Sequence, residues 1–223
     1  HLQRIAANPG SVMLALLAFL VRWVTRRLFT HFEVHGLDAI VEAVKQHPLV
    51  LLPSHRSHFD YVILSYLFYE RHIVPPHVAA GDNLAFWPLG TLFRRAGAFF
   101  LRRSFEGDRL YSAVFRAYVQ LLIKEGVTQE FFIEGTRSRT GKTLQPRLGL
   151  LGMVIEAHTR GIRREVFLVP VGFTYDRLVE ERAMVEQRRG VPKRGESLLG
   201  LLRARAVLGR RFGGVRIRFG EPL

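Results

Sequence analysis

One stretch, Leu49 to Tyr66, limits most sharply what this chain can fold into. It reads LVLLPSHRSHFDYVILSY: an apolar run of strand length, a polar corner, then an apolar run of helical character. A run such as Leu49–Leu52, apolar at every position, suits a strand covered on both faces. Pro53 and Ser54 close it. The corner sets His55, Arg56, Ser57, His58 and Asp60 between two hydrophobic elements. Ser57 is placed to cap a helix beginning near His58. The corner thus gathers a base, a carboxylate and a cation at the junction of a strand and a helix.

The rest of the chain alternates in the same way. Gly36–Gln46 has helical spacing, with Leu37, Ile40, Val41 and Val44 on one side, and Pro48 ends it. Helices are expected over Phe59–Tyr69, over Asn83–Arg95 with Pro88 kinking or dividing it, from Asp108 to Glu125 with Gly126 closing it, and over Leu148–Arg160. Asp82 is a candidate cap. Strands are expected at His77–Ala80, Ala98–Leu101, Gln129–Ile133, Glu165–Val171 and Val215–Phe219. Pro170 suggests a strand end or a sheet edge. Val185–Glu196 reads as a surface excursion, and Ser197–Arg211 as a basic amphipathic helix. Alternation of this kind predicts an α/β fold, a largely parallel central sheet flanked by helices.

Ahead of this lies Ser11–Phe29. Val12–Val21 is unbroken apolar sequence, after which Arg22, Arg26 and Arg27 enter. A bilayer-spanning helix needs about 20 apolar residues, roughly twice this run. An amphipathic helix in the membrane interface fits better, with Trp23 and Phe29 among the arginines; an ordinary core helix is the plain alternative. A secretion signal is not expected, because no small-residue cleavage site is evident. The first residue is His1, which points to processing or trimming. Residues 1–30 are therefore read as an amphipathic, membrane-interfacial segment ahead of one domain over residues 31–223.

The formal charge of +14 and pI of about 11.2 point to an anionic partner. Nucleic acid, an acidic lipid surface, an acidic carrier protein and phosphorylated small molecules all qualify. The chain has no cysteine, which excludes disulfides, thiolate zinc sites and a cysteine nucleophile. It has no G-x-G-x-x-G, no G-x-x-x-x-G-K-[ST] and no G-x-S-x-G.

His55 and Asp60 are five apart, about 140° around a straight helix at ~100° per residue. They meet only where the backbone turns, and the corner supplies that turn. A carboxylate bonded to one imidazole nitrogen fixes the tautomer and stabilises the imidazolium that forms. The base would then activate a substrate hydroxyl directly, with no acyl-enzyme. The same residues leave a second reading open: His55, His58 and Asp60, with His158, as ligands of a metal in a hydrolase. A third is a non-enzymatic basic module for membrane or nucleic acid. It lacks the interleaving of aromatic and basic residues expected of an RNA-binding sheet.

Three further places carry cations. Arg102 and Arg103 follow the strand Ala98–Leu101; Arg137 and Arg139 lie in the long polar loop Glu134–Pro146, where Lys142 follows Gly141. Like His55, all fall beyond the carboxyl ends of strands, where α/β sheets bind ligands. The arginine fork suits a phosphate better than lysine does. Each also has a plain reading: Glu134 pairing with an arginine to hold the loop, Gly135 serving a turn, Arg102 or Arg103 as surface charge.

Taken together, these residues resemble the glycerolipid acyltransferases. His55 to Asp60 resembles the H-x4-D block, Gly97–Arg103 (GAFFLRR) the second, Phe132–Arg139 (FIEGTRSR) the third and Val169–Val171 the fourth. The four occur in order, over roughly residues 31–223, and the surrounding text looks most like the bacterial membrane-bound glycerol-3-phosphate acyltransferases. The resemblance implies acyl transfer from acyl-CoA or acyl carrier protein to the 1-hydroxyl of glycerol 3-phosphate, giving lysophosphatidic acid, with no cofactor and no metal. Dihydroxyacetone phosphate and lysophosphatidate are alternative acceptors. It implies His55 as base, Asp60 as its orienting partner, Arg102, Arg103, Arg137 and Arg139 on the phosphate, and Glu134 and Gly135 shaping the same site. It further implies peripheral or monotopic attachment to the cytoplasmic face of a bacterial inner membrane, an anionic membrane surface as partner, no nucleic acid, and a chain that is one piece of a longer protein.

Overall fold

The computed structural model describes residues 2–102, 107–138, 142–163, 165–181, 184–185 and 208–223. The expected α/β architecture is present. Seven strands form one sheet in the order β1-β7-β6-β2-β5-β3-β4: β1 (His31–His35), β2 (Leu49–Pro53), β3 (His77–Gly81), β4 (Ala98–Leu101), β5 (Gln129–Glu130), β6 (Phe167–Tyr175) and β7 (Gly214–Phe219). Every neighbouring pair is parallel except β6 with β7.

Helices cover both faces, which explains why β2 is apolar throughout. Leu49 and Leu51 face one core with Leu37 and Ile40 of α3 (Leu37–Gln46) and Ile63, Leu64 and Phe68 of α4 (Asp60–Glu70). Val50 faces a second core with Phe115, Val119 and Ile123 of α6 (Arg109–Lys124) and Val154 and Ala157 of α7 (Gly149–Thr159). Asp108 caps α6 by accepting from Tyr111 N, and Gly126 follows that helix with φ of 74°, the left-handed turn a helix end commonly uses.

Residues 2–28 contribute to both halves. Ile5 of α1 (Leu2–Ile5) is buried in the α6–α7 core, and Leu28 of α2 (Ser11–Leu28) in the other. Arg22 of α2 bridges to Glu70 at 2.6 Å and to the Tyr66 hydroxyl at 3.1 Å, fixing α2 along α4.

Several local expectations change. Strand β1 has no counterpart in the sequence reading; its HFEVH pattern is too polar to stand out, and it exists because β7 pairs with it. Strand β6 runs on to Tyr175, four residues past Val171. Pro170 lies inside this strand, and β6 is interior, not an edge. The missing N–H does no damage because β7 has just ended there: the Pro170 carbonyl accepts from Gly220 N at 2.8 Å. Strand β5 stops at Glu130, although Phe131 N still donates to Leu51 O at 3.1 Å. Asp82 makes no cap; it opens a 3-10 turn, Asp82–Leu84, and α5 (Leu89–Arg95) starts only after Pro88. Residues 186–207, which hold most of the expected excursion and basic helix, lie outside the described residues.

Candidate active site

The site lies along the carboxyl ends of β6, β2 and β5, three adjacent strands. Its centre is the corner after β2. Ser57 Oγ accepts from Phe59 N at 3.1 Å, and Asp60 Oδ2 reaches back to Ser57 N at 2.8 Å. These two bonds close a tight turn just ahead of α4; Ser57 does not cap the helix, which starts at Asp60 after an N-cap, Phe59, that makes no side-chain capping bond. The turn redirects the backbone between positions 55 and 60, so His55 Nδ1 comes within 3.2 Å of Asp60 Oδ2.

Asp60 is wholly buried, and its carboxylate is fully engaged. Oδ2 accepts from the backbone N–H of Arg56 at 2.6 Å and from that of Ser57 as well as meeting His55; Oδ1 accepts from the Tyr175 hydroxyl at 2.6 Å. Burial, then the charge of Asp60, pushes the Tyr175 hydroxyl far above its usual range, so it remains a donor. Backbone donors and a hydroxyl fix the carboxylate in place, so it is set up to orient the imidazole.

The His55 ring stacks on Phe132, with centroids 3.8 Å apart and planes at 19°. The loop after β5 is tied to the same residue through the backbone. His55 N donates to Glu134 Oε1 at 3.2 Å, and Ser138 N donates to His55 O at 3.0 Å. Glu134, 2% exposed, also accepts from Leu144 N at 2.9 Å. Glu134 therefore shapes the site as a brace between two loops. Gly135 has φ of 66°, and a Cβ there would fall 2.6 Å from Cδ of Arg147.

Arg102 and Arg137 both border one cavity of about 820 Å³ that also reaches His55. Arg102 pairs with Asp108 at 2.7 Å and lies over the Tyr111 ring at 4.4 Å. Arg137 pairs with Glu180 at 2.9 Å. Arg103 and Arg139 lie outside the described residues. Away from this polar end the cavity is apolar, walled by Leu14, Leu17 and Val21 of α2, Val62 of α4, Leu84 and Phe93. Pockets of this size that combine apolar walls with a few convergent polar groups are typical of small-molecule sites.

His55, His58 and Asp60 do not form a metal-ligand set. The Asp60 oxygens are taken up by the donors above, and among the described residues no group of three or more His, Cys, Asp or Glu is arranged to hold a metal ion.

Phe132, Tyr175 and Glu180 were not identified as functional from the sequence. Tyr175 and Glu180 follow from the same placement rule that singled out the arginines, once β6 is extended to Tyr175.

Residues 31–174 match the model of the acyltransferase family, and residues 184–223 match that of the glycerol-3-phosphate acyltransferase C-terminal region. Two curated relatives, the glycerol-3-phosphate acyltransferases of Xanthomonas axonopodis pv. citri (strain 306) and Xanthomonas campestris pv. campestris, are each 45% identical over 220 residues. These matches cover 98% of this chain and 25% of each relative, so the chain spans about a quarter of their length. The crystal structure of the 1-acyl-sn-glycerophosphate (LPA) acyltransferase PlsC from Thermotoga maritima superposes with a TM-score of 0.56 at 18% identity, over 95% of this chain and 67% of that one, and shows a shared fold. The H-x4-D pair closes at the sheet corner, the surrounding architecture is that of a solved acyltransferase, and the family model runs from β1 into β6: the chain belongs to the acyltransferase family.

Proposed function

We propose that this chain carries the catalytic centre that moves a fatty acyl group from a thioester, acyl-CoA or acyl carrier protein, to the sn-1 hydroxyl of glycerol 3-phosphate, producing lysophosphatidic acid. The observation that carries this reading is the His55–Asp60 pair at the polar end of a large apolar cavity whose border also bears Arg102 and Arg137. A base, an anion-binding rim and a hydrocarbon-lined chamber in one space match the three parts of such a reaction.

In this mechanism His55 Nδ1–H faces Asp60, leaving Nε2 to take the proton of the acceptor hydroxyl. The alkoxide oxygen attacks the thioester carbonyl as that proton leaves. The tetrahedral intermediate then expels the thiolate, which recovers the proton from the imidazolium. A thioester is reactive enough that positioning and base assistance suffice without an acyl-enzyme. Arg102 and Arg137, with Arg103 and Arg139, bind the acceptor phosphate. Leu14, Leu17 and Val21 surround the acyl chain.

The names of the relatives support glycerol 3-phosphate as the acceptor. The strongly basic composition supports the phosphates of CoA, an acidic carrier and an anionic membrane surface as partners. No described helix is long and apolar enough to cross a membrane. An attachment at the inner-membrane surface would use α2, whose side facing away from the body is apolar.

The test is an acyl-transfer assay on the full chain with glycerol 3-phosphate, dihydroxyacetone phosphate and lysophosphatidate as acceptors, with and without lipid. Glycerol 3-phosphate is expected to be preferred, and His55→Ala to abolish turnover while the thermal transition persists. Turnover retained in His55→Ala overturns the assignment of the base.

A further inference from the structure

A carboxylate outside all four sequence blocks touches both halves of the site. Glu180 lies just beyond β6. Its Oε1 accepts from His58 N at 2.8 Å, and both of its oxygens lie 3.0 Å from the Ser57 hydroxyl that donates to them. The same carboxylate meets Arg137 Nη1 at 2.9 Å, with only 15% of the arginine side chain and 14% of the glutamate side chain exposed. One acidic group thus holds the start of α4, which carries Asp60, and a cation that borders the cavity.

The Arg137 contact is close but not aligned. Nη1 is buried and, among the described residues, makes no hydrogen bond of good geometry even though Glu180 is so near. An arginine held through one edge keeps its remaining N–H groups for a second acceptor. A long side chain with this much rotamer freedom otherwise has to be ordered at the moment of binding. Glu180 does not border the cavity, so it acts on a ligand there through Arg137 rather than by contact.

We propose that Glu180 is a positioning residue for acceptor binding: it aims the Arg137 guanidinium at the phosphate and, through Ser57 and His58, fixes that cation relative to the corner bearing His55. This rests on the reading that Arg137 binds the acceptor phosphate. It adds a coupling between phosphate and base that neither residue supplies alone. A carboxylate serving only as a helix cap would leave phosphate binding unchanged.

The experiment is a double-mutant cycle on the full chain, with the KM values for glycerol 3-phosphate and for the acyl donor measured separately. Glu180→Gln keeps an oxygen for Ser57 and His58 and removes only the charge facing Arg137. It is expected to raise the glycerol 3-phosphate KM by about tenfold, as misplacement of a positioning group does, and to leave the acyl-donor KM within about twofold. In an Arg137→Ala background the same substitution is expected to change the glycerol 3-phosphate KM by less than about twofold, because the coupling has lost its carrier. Glu180→Asp, which keeps the charge on a shorter stem, is expected to recover part of the loss and serves as the folded control should the amide variant melt early. An unchanged glycerol 3-phosphate KM in Glu180→Gln, or an equal rise in both backgrounds, overturns the proposal. If Arg137→Ala alone leaves that KM unaltered, Arg137 does not bind the phosphate, and the proposal falls with that reading. A rise in Arg137→Ala without coupling removes Glu180 alone.

Discussion

Asp60 receives its donors in two sets, and the two can be separated by mutation. In Asp60→Asn the amide oxygen can replace Oδ2 toward His55, Arg56 and Ser57, while the amide nitrogen faces Tyr175, whose hydroxyl can turn and accept. The fold is therefore expected to survive. Only the negative charge behind the imidazole is lost, and kcat is expected to fall by about 10²–10⁴-fold in the acyl-transfer assay. Tyr175→Phe is the converse. It deprives a buried carboxylate of one charge-assisted donor, worth about 1.5–3 kcal/mol, and leaves the His55 contact in place. Chemical denaturation should report that loss, with a smaller fall in kcat than Asp60→Asn produces. Glu130 makes a different prediction. It is completely buried on β5, and neither of its oxygens has a protein partner among the described residues. Burial first, and then the nearby charge of Asp60, raises its carboxyl well above the usual range. The folded state therefore holds this proton after the unfolded chain has released it near pH ~4.3, and its contribution to stability declines as pH rises above that value. Glu130→Gln removes this dependence. The difference in Tm between Glu130→Gln and the parent should shift in the variant's favour as pH is raised from about 5 to about 8, with no pH-dependent change below about 4. Of these groups, His55, Asp60 and Ser57 were legible in the sequence because they are close along the chain. Tyr175 and Glu130 were not, because an alternating strand pattern does not say which neighbour a buried polar group will meet.

Helix α2 is apolar on two sides, and its two readings as core helix and as interfacial helix describe different faces. Ala18, Thr25 and Leu28 are buried against the body. Val12, Leu16, Phe19, Leu20 and Trp23 are exposed, Phe19 by 73%. At ~100° per residue they form a stripe about 100° wide, opposite the buried face. A stripe this wide, with Arg22 and Arg26 along one side and Arg27 at its C-terminal end, has the character of a helix lying in a lipid interface. The proposed attachment predicts that Leu16→Glu combined with Phe19→Glu weakens co-sedimentation with anionic phospholipid vesicles by about tenfold or more, since each immersed apolar side chain contributes about 1.5–3 kcal/mol. Thermal stability should change little, because neither side chain is part of the core. Helix α1 behaves oppositely. Ile5 is 1% exposed, and Ile5→Ala should cost about 2–5 kcal/mol in chemical denaturation. The sequence of α2 is apolar over Val12–Val21, and hydropathy alone could not separate the side that packs from the side that does not. That division was made by α4, which contributes Tyr66 and Glu70 to bind Arg22.

The charge of +14 acts over the entire surface. Each Lys or Arg close to an anionic bilayer adds about 1 kcal/mol, and salt screens that attraction while leaving apolar insertion intact. Vesicle binding is therefore expected to fall but not vanish as salt is raised from about 0.1 M to about 1 M. The residue that remains at high salt should disappear in the Leu16/Phe19 double variant. The alternation of apolar runs was enough to establish an α/β fold with a mostly parallel sheet, since strand and helix periods are local and burial on both faces leaves an unbroken hydrophobic run in β2. The H-x4-D corner was equally local, because its base, its turn and its carboxylate lie within six residues. Pairing decided the rest. Strand β1 exists through β7, Pro170 is accommodated in an interior strand because β7 ends beside it, and Glu180 reaches Ser57 from more than a hundred residues away. Contacts of that kind depend on which strand ends lie side by side, and strand order is a property of the folded sheet that no local pattern encodes.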